Sequence, residues 1–187
     1  MKPSFLFILL FISGLSNAIE TSEFTLCYDF GCKSTKEISF NDQQWESIVN
    51  IFDRPALSPW LEKQKIRQAI ALMESISGSK VGTSQDKGGN YPGQDIPFQQ
   101  DCIDESTNTH QFLNALQNKN LLQWHQVDLK QRRIVWFATH WTASIRELYT
   151  DKHFAVDSWY RDNGELPYIQ TYKNWKRKKS FSELLNP

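Results

Sequence analysis

HWTASIRELYTDKHFAVDSW, residues 140–159, decides the fold. It holds two runs rich in β-branched and aromatic residues, with a turn near Leu148-Tyr149 between them. Side chains alternate across a strand, so His140, Thr142 and Ser144 share one face and Trp141, Ala143 and Ile145 the other. Antiparallel pairing about the turn places Asp157 opposite His140, Thr142 opposite Ala155 and Trp141 beside Val156. That register gathers the apolar residues on one face, which is what fixes a register. LLQWHQV and RRIVWFAT, just upstream, are of the same kind, so an antiparallel sheet is expected from Leu121 onward.

Before Leu121 the period is helical. FNDQQWESIVNIF offers Asn41 as an N-cap and places Trp45, Ile48, Val49 and Phe52 on one face. Ser58 caps a longer helix that has Pro59 at its first position. Its stripe of Ile66, Ala69, Ile70, Met73 and Ile76 reads as core. Gly78 to Gln100, rich in Gly, Pro and polar residues, reads as a loop. Loops of that length are connectors or walls of a site. A third helix is expected from about Asp101 to Asn118, with Phe112, Leu113 and Leu116 facing the core. Helices followed by an antiparallel sheet predict an α+β fold. The basic segment KNWKRKK, 173–179, reads as a solvated helix face.

The chain has 187 residues and a balanced formal charge. Lys2, an apolar run from Phe5 to Leu15 and Ser16-Asn17-Ala18 form the pattern of a secretory signal peptide over residues 1–18. The run is short for a membrane span, which takes about 20 residues. Residues 19–187 are expected to form one exported domain, periplasmic or extracellular, without stable membrane insertion. Losing Lys2 takes the formal charge from 0 to −1. That balance argues against nucleic acid as a partner. Gly88-Gly89 matches no phosphate-binding spacing, and no cofactor is expected.

The three cysteines divide into a pair and a remainder. Cys27 and Cys32 flank YDFG, which reads as the turn of a hairpin, and export permits them to oxidise. A disulfide between them is expected. A metal site is the rival, but no second Cys or His pair stands at ligand spacing. Cys102 is left over, in the first turn of the third helix. An odd cysteine in an exported protein points to a reactive thiol or an intermolecular bond.

Helix N-termini favour a thiolate through their free N–H groups and dipole. Asp101, Asp104 and Glu105 oppose it, so Cys102 needs a cationic partner. His140 is the candidate, with Asp157 to orient its ring. The other histidines, His110, His125 and His153, read as packed or surface residues.

Cys at a helix start, then His and Asp on neighbouring strands, resembles the transglutaminase-like branch of papain-fold cysteine enzymes. DCIDESTNTHQFLNAL is similar to that family's nucleophile helix, HWTASIREL to its His strand and FAVDSW to its Asp strand. The intervals, 38 positions from Cys102 to His140 and 17 on to Asp157, suit its core. ESTNTHQ departs from the family in being more polar, which weighs against deep burial of this helix. The resemblance implies that Cys102 attacks a carboxamide or peptide carbonyl of a peptide or protein substrate. His140 would exchange the proton and Asp157 orient it. The Cys102 N–H would bind the oxyanion with a side chain of the preceding loop, Gln94 first among Gln94, Gln99 and Gln100. Water as second substrate gives hydrolysis, an amine gives transfer. The segment past Asp157 is expected to curl over the site and contact substrate through Trp159 or Arg161.

Two other functions fit the same sequence. One is an inert binding module whose exposed Trp159, Tyr160 and Tyr168 form a ligand face. The other is an envelope structural protein that pairs through Cys102.

Overall fold

The computed structural model describes residues 23–92, 96–135 and 138–177. Strands β1 (Glu23–Tyr28) and β2 (Ser34–Ser39) come first, then helices α1 (Asp42–Val49), α2 (Pro59–Val81) and α3 (Cys102–Asn118). Strands β3 (His125–Val135), β4 (Ala138–Glu147), β5 (His153–Asp157) and β6 (Tyr168–Thr171) follow, and the short helix α4 (Tyr172–Lys176) comes last. The fold is mixed α+β. A two-stranded antiparallel sheet, β1-β2, accompanies a four-stranded antiparallel sheet in the order β3-β4-β5-β6. The expected signal segment lies outside the described residues, and among those no helix is long and apolar enough to cross a membrane.

Helix starts follow the sequence closely. Asn41 and Gln44 form a reciprocal capping box on α1. Ser58 caps α2 with Pro59 behind it. Asp101 caps α3 by accepting from Ile103 and Asp104. Such a cap contributes about 1 kcal/mol. On α1, Trp45 and Ile48 are buried, while Val49 is exposed and Phe52 belongs to a following 3-10 turn.

The core joins Phe24, Phe40, Trp45, Ile66, Ile70, Met73, Phe112 and Leu113 to Ile145, Phe154 and Val156. Burying each large apolar side chain there stabilises the fold by roughly 1.5–3 kcal/mol.

Four expectations are corrected. Helix α2 does not stop before Gly78 but runs to Val81 and ends at Gly82 in a left-handed conformation. Gly78 is there for closeness: a Cβ would sit 2.6 Å from the Asn163 side-chain oxygen. Cys27 does not face Cys32 across the hairpin, since it pairs with Thr35 and Cys32 lies in the turn. The disulfide forms nonetheless, with Cα atoms 4.5 Å apart. The strand segments read separately merge into two long strands, β3 and β4, with a bulge in β3 between Asp128 and Gln131.

The fourth correction bears on the site. Strand β4 pairs with β5 as Ala143↔Val156, Ser144↔Ala155 and Ile145↔Phe154, a two-residue slip from the expected register. Asp157 is therefore not opposite His140. The turn sets the slip, because the Glu147 N–H closes it on the Lys152 carbonyl. A slip of two preserves the face of every side chain, so His140 and Asp157 still share one.

Candidate active site

Asp101 fixes Cys102 as the first residue of α3. Its thiol donates to the Thr139 carbonyl at 3.8 Å, and the Trp141 backbone N–H also approaches the sulfur. N–H and C=O groups of alternate residues point to the same edge of a strand. Glu147 bonds toward the β5 side, so Ile145, Ala143, Trp141 and Thr139 point that way too. Strand β5 pairs with β4 only as far as Ala143. Cys102 thus fills the length of β4 edge that β5 leaves open, against the backbone on either side of His140.

The His140 ring leans toward β5. Its Nε2 lies 2.8 Å from Asp157 Oδ2, and both residues are buried. The Trp175 indole N–H donates to the same Oδ2 at 2.7 Å. The other Asp157 oxygen is buried without a hydrogen-bond partner among the described residues. Trp159, Tyr160 and Trp175 surround the imidazole, with ring centroids 4.8, 5.2 and 5.8 Å away. Arg133 holds this box from behind. It donates to the Trp175 carbonyl and the Tyr160 hydroxyl and lies over the Trp175 ring.

Among the described residues Cys102 makes no hydrogen bond to His140. Its thiol pKa is pushed up, first by burial, and the charges of Asp101 and Asp157 add to that against the Trp141 N–H. The helix terminus does not prevail over desolvation here, and the opposition expected from neighbouring carboxylates comes from Asp101 and Asp157.

Of the polar stretch ESTNTHQ, Glu105, Ser106, Asn108 and Thr109 are buried and Thr107, His110 and Gln111 half-buried, so its polarity does not keep this helix from burial. Asn108 receives the Cys27 N–H and donates to the Cys27 carbonyl. The Thr109 and Ser158 hydroxyls lie 3.0 Å apart. Asp104, in the same first turn of α3 as Cys102, receives the Cys32 N–H at 2.5 Å and that of Phe30. Asp29, Phe30, Gly31 and Cys32 all have positive φ. Such a run turns successive N–H groups inward, as anion-binding concavities do. The disulfide loop is therefore tied to α3 two residues past Cys102.

Behind α3 lies a buried carboxyl cluster. Glu74 and Asp86 are each pushed up to about 7 and Asp104 to about 6, in every case first by burial. Glu105, hydrogen-bonded to Asp86, lies well above the usual carboxylate range.

The remaining candidates divide. Trp159 is not exposed, as a ligand face requires, but 5 % accessible, with its indole donating to the Asn90 carbonyl. It does lie over His140, and Gly89 donates to its carbonyl, so part of the loop after Gly82 forms a wall beside the site. Arg161 pairs with Glu165 at 3.6 Å and lies over Tyr168. Gln99 and Gln100 are both bonded within the scaffold, Gln99 to Gln85 and Lys87 and Gln100 to the Cys27 carbonyl. Gln94 lies outside the described residues. His125 is buried on Glu62, and His153 meets Asp128 at the surface. His110 is half-buried, and burial holds its pKa down.

Sequence reasoning missed Trp175, because KNWKRKK reads as a basic face and nothing local marks its tryptophan as the residue that turns inward. It also missed the Trp141 N–H, which no side-chain pattern reveals. Compared with known proteins, the chain matches no protein-family model, no curated protein and no solved structure.

Proposed function

We propose that this chain is an exported thiol acyl-transfer enzyme, in its simplest form a hydrolase of peptide or carboxamide bonds, on a papain- or transglutaminase-like core. One observation carries the proposal. The ring of His140 is held at Nε2 by a buried, doubly engaged Asp157 oxygen while the free thiol of Cys102 lies on the backbone either side of it.

With Nε2 committed to Asp157, Nδ1 is the nitrogen that exchanges a proton with the thiol. His140 takes the proton and the thiolate adds to the acyl carbon. The Cys102 N–H stabilises the oxyanion. As the C–N bond breaks, His140 returns its proton to the leaving amine, giving a thioester. Water, deprotonated by His140, then releases the carboxylic acid and the thiol. An amine in place of water completes transfer. The Cys27–Cys32 disulfide and the N-terminal pattern of residues 1–18 support an exported location.

A second reading, an inert binding module on the same fold, is favoured by the thiol's bond to Thr139 and its raised pKa. The pH dependence of Cys102 alkylation, wild type against His140→Ala, separates the two. A free thiol ionises near pH 8.5. Rapid alkylation well below that pH, lost in the variant, supports the enzyme. An ordinary thiol profile indifferent to His140 rejects it.

A further inference from the structure

Beside Cys102, on the face of β4 opposite to His140, stands Trp141, half-buried and paired across the sheet with Arg132. The Arg132 guanidinium lies 6.0 Å from its ring and the Lys130 ammonium 5.9 Å. Lys130 is anchored by the Thr107 hydroxyl at 2.7 Å, one turn of α3 beyond Ile103. Arg132 is exposed. Among the described residues neither cation forms an ion pair with a carboxylate. Ile103 and Ile134 are exposed, 38 % and 76 %, on α3 and β3 beside them.

Two cations on one tryptophan, with no carboxylate partner among the described residues and on the residue whose backbone N–H meets the Cys102 thiol, form a shelf for a negative group. Partial burial already lowers the Lys130 pKa, and an incoming carboxylate would relieve that cost. The acids nearest the thiol are committed elsewhere. Asp101 caps α3, Asp104 holds the disulfide loop, and Asp157 lies on the His140 face.

We propose that the acyl substrate is an acidic peptide, its carboxylate side chain held on the Lys130–Arg132–Trp141 shelf while the scissile carbonyl lies at Cys102. The proposal rests on the thiol acyl-transfer reading and names the substrate class for that site.

Two alkylating probes of similar size test it, anionic iodoacetate and neutral iodoacetamide. Their rate ratio at Cys102 and one fixed pH cancels the thiolate fraction, so it reports the local field and not the activation of the thiol. At low salt the ratio should fall about two- to threefold in Arg132→Gln and again in Lys130→Met, with the differences fading as salt rises. A ratio unchanged in both variants overturns the shelf, whatever the pH profile shows. Because Arg132 is exposed, its variant keeps the fold and yields an answer even if Lys130→Met does not fold. An ordinary, His140-independent pH profile with a shifted ratio would instead overturn the catalytic reading and keep the anion shelf.

Discussion

Trp175 and His140 meet on one atom: the indole N–H and the imidazole Nε2 both reach Oδ2 of Asp157, at 2.7 and 2.8 Å. Trp175 is fully buried, so its donor is a fixed part of the environment of Asp157. Trp175→Phe keeps most of the ring volume and removes the donor. We expect a loss of about 1–3 kcal/mol in denaturant unfolding, the cost of a buried charged group losing a partner. An unchanged midpoint would show that Oδ2 is satisfied without the indole.

The buried carboxyls make stability depend on pH in a direction opposite to most proteins. Glu74, Asp86, Asp104 and Glu105 all have folded pKa values above those of the unfolded chain. Over that interval the folded state holds more protons, so stability falls as pH rises. Their contribution is full below about pH 4 and is lost as pH rises through about 7, the value for Glu74 and Asp86. The Tm should therefore be higher at about pH 5 than at about pH 8. Glu105→Gln, which fixes the neutral form beside Asp86, should flatten that slope. A Tm that climbs steadily from acid to pH 8 would contradict the assignment.

Reduction of Cys27–Cys32 should be felt at α3. The bridge closes a loop with a sequence separation of 5, whose cross-linking is worth about 2 kcal/mol. It also holds the run of left-handed residues whose N–H groups meet Asp104. We expect Cys27→Ala/Cys32→Ala to lower stability by about that amount and to speed amide exchange in the first turn of α3. If exchange quickens only in the hairpin, the loop and the helix are uncoupled.

Glu62 is the hidden fastener between α2 and the large sheet. It is 1 % exposed and accepts the N–H groups of Gln123, Trp124 and His125 as well as the His125 ring. Glu62→Ala strands those donors, and a loss of about 3–5 kcal/mol is expected in chemical denaturation. A loss under about 1 kcal/mol would mean that water replaces the carboxylate.

Local signals were legible, the Cys27–Cys32 pair among them, and the strand register was not. Caps at Asn41 and Ser58 are written in a few adjacent residues, and the structure keeps both. The face shared by His140 and Asp157 survives because alternation is a property of each strand alone. The exact register does not, because it depends on how Glu147 and Lys152 close the turn. Gly78 reads as a breaker until Asn163, 85 positions later, is seen to need its space. Glu62 and Trp175 look like solvated residues in their own helices. Only the β3 entry and Asp157, both distant in sequence, show why they are buried.

The seat of Cys102 also bears on aggregation. Among the described residues, β4 has no strand on its β5 side from Thr139 to Trp141, an open sheet edge of the kind by which foreign strands recruit a folded protein. The first turn of α3 covers that edge, and Asp101 keeps the turn wound. Asp101→Ala should therefore do more than weaken a helix. It should unmask the edge and raise light scattering on storage at concentrations where the parent chain stays clear.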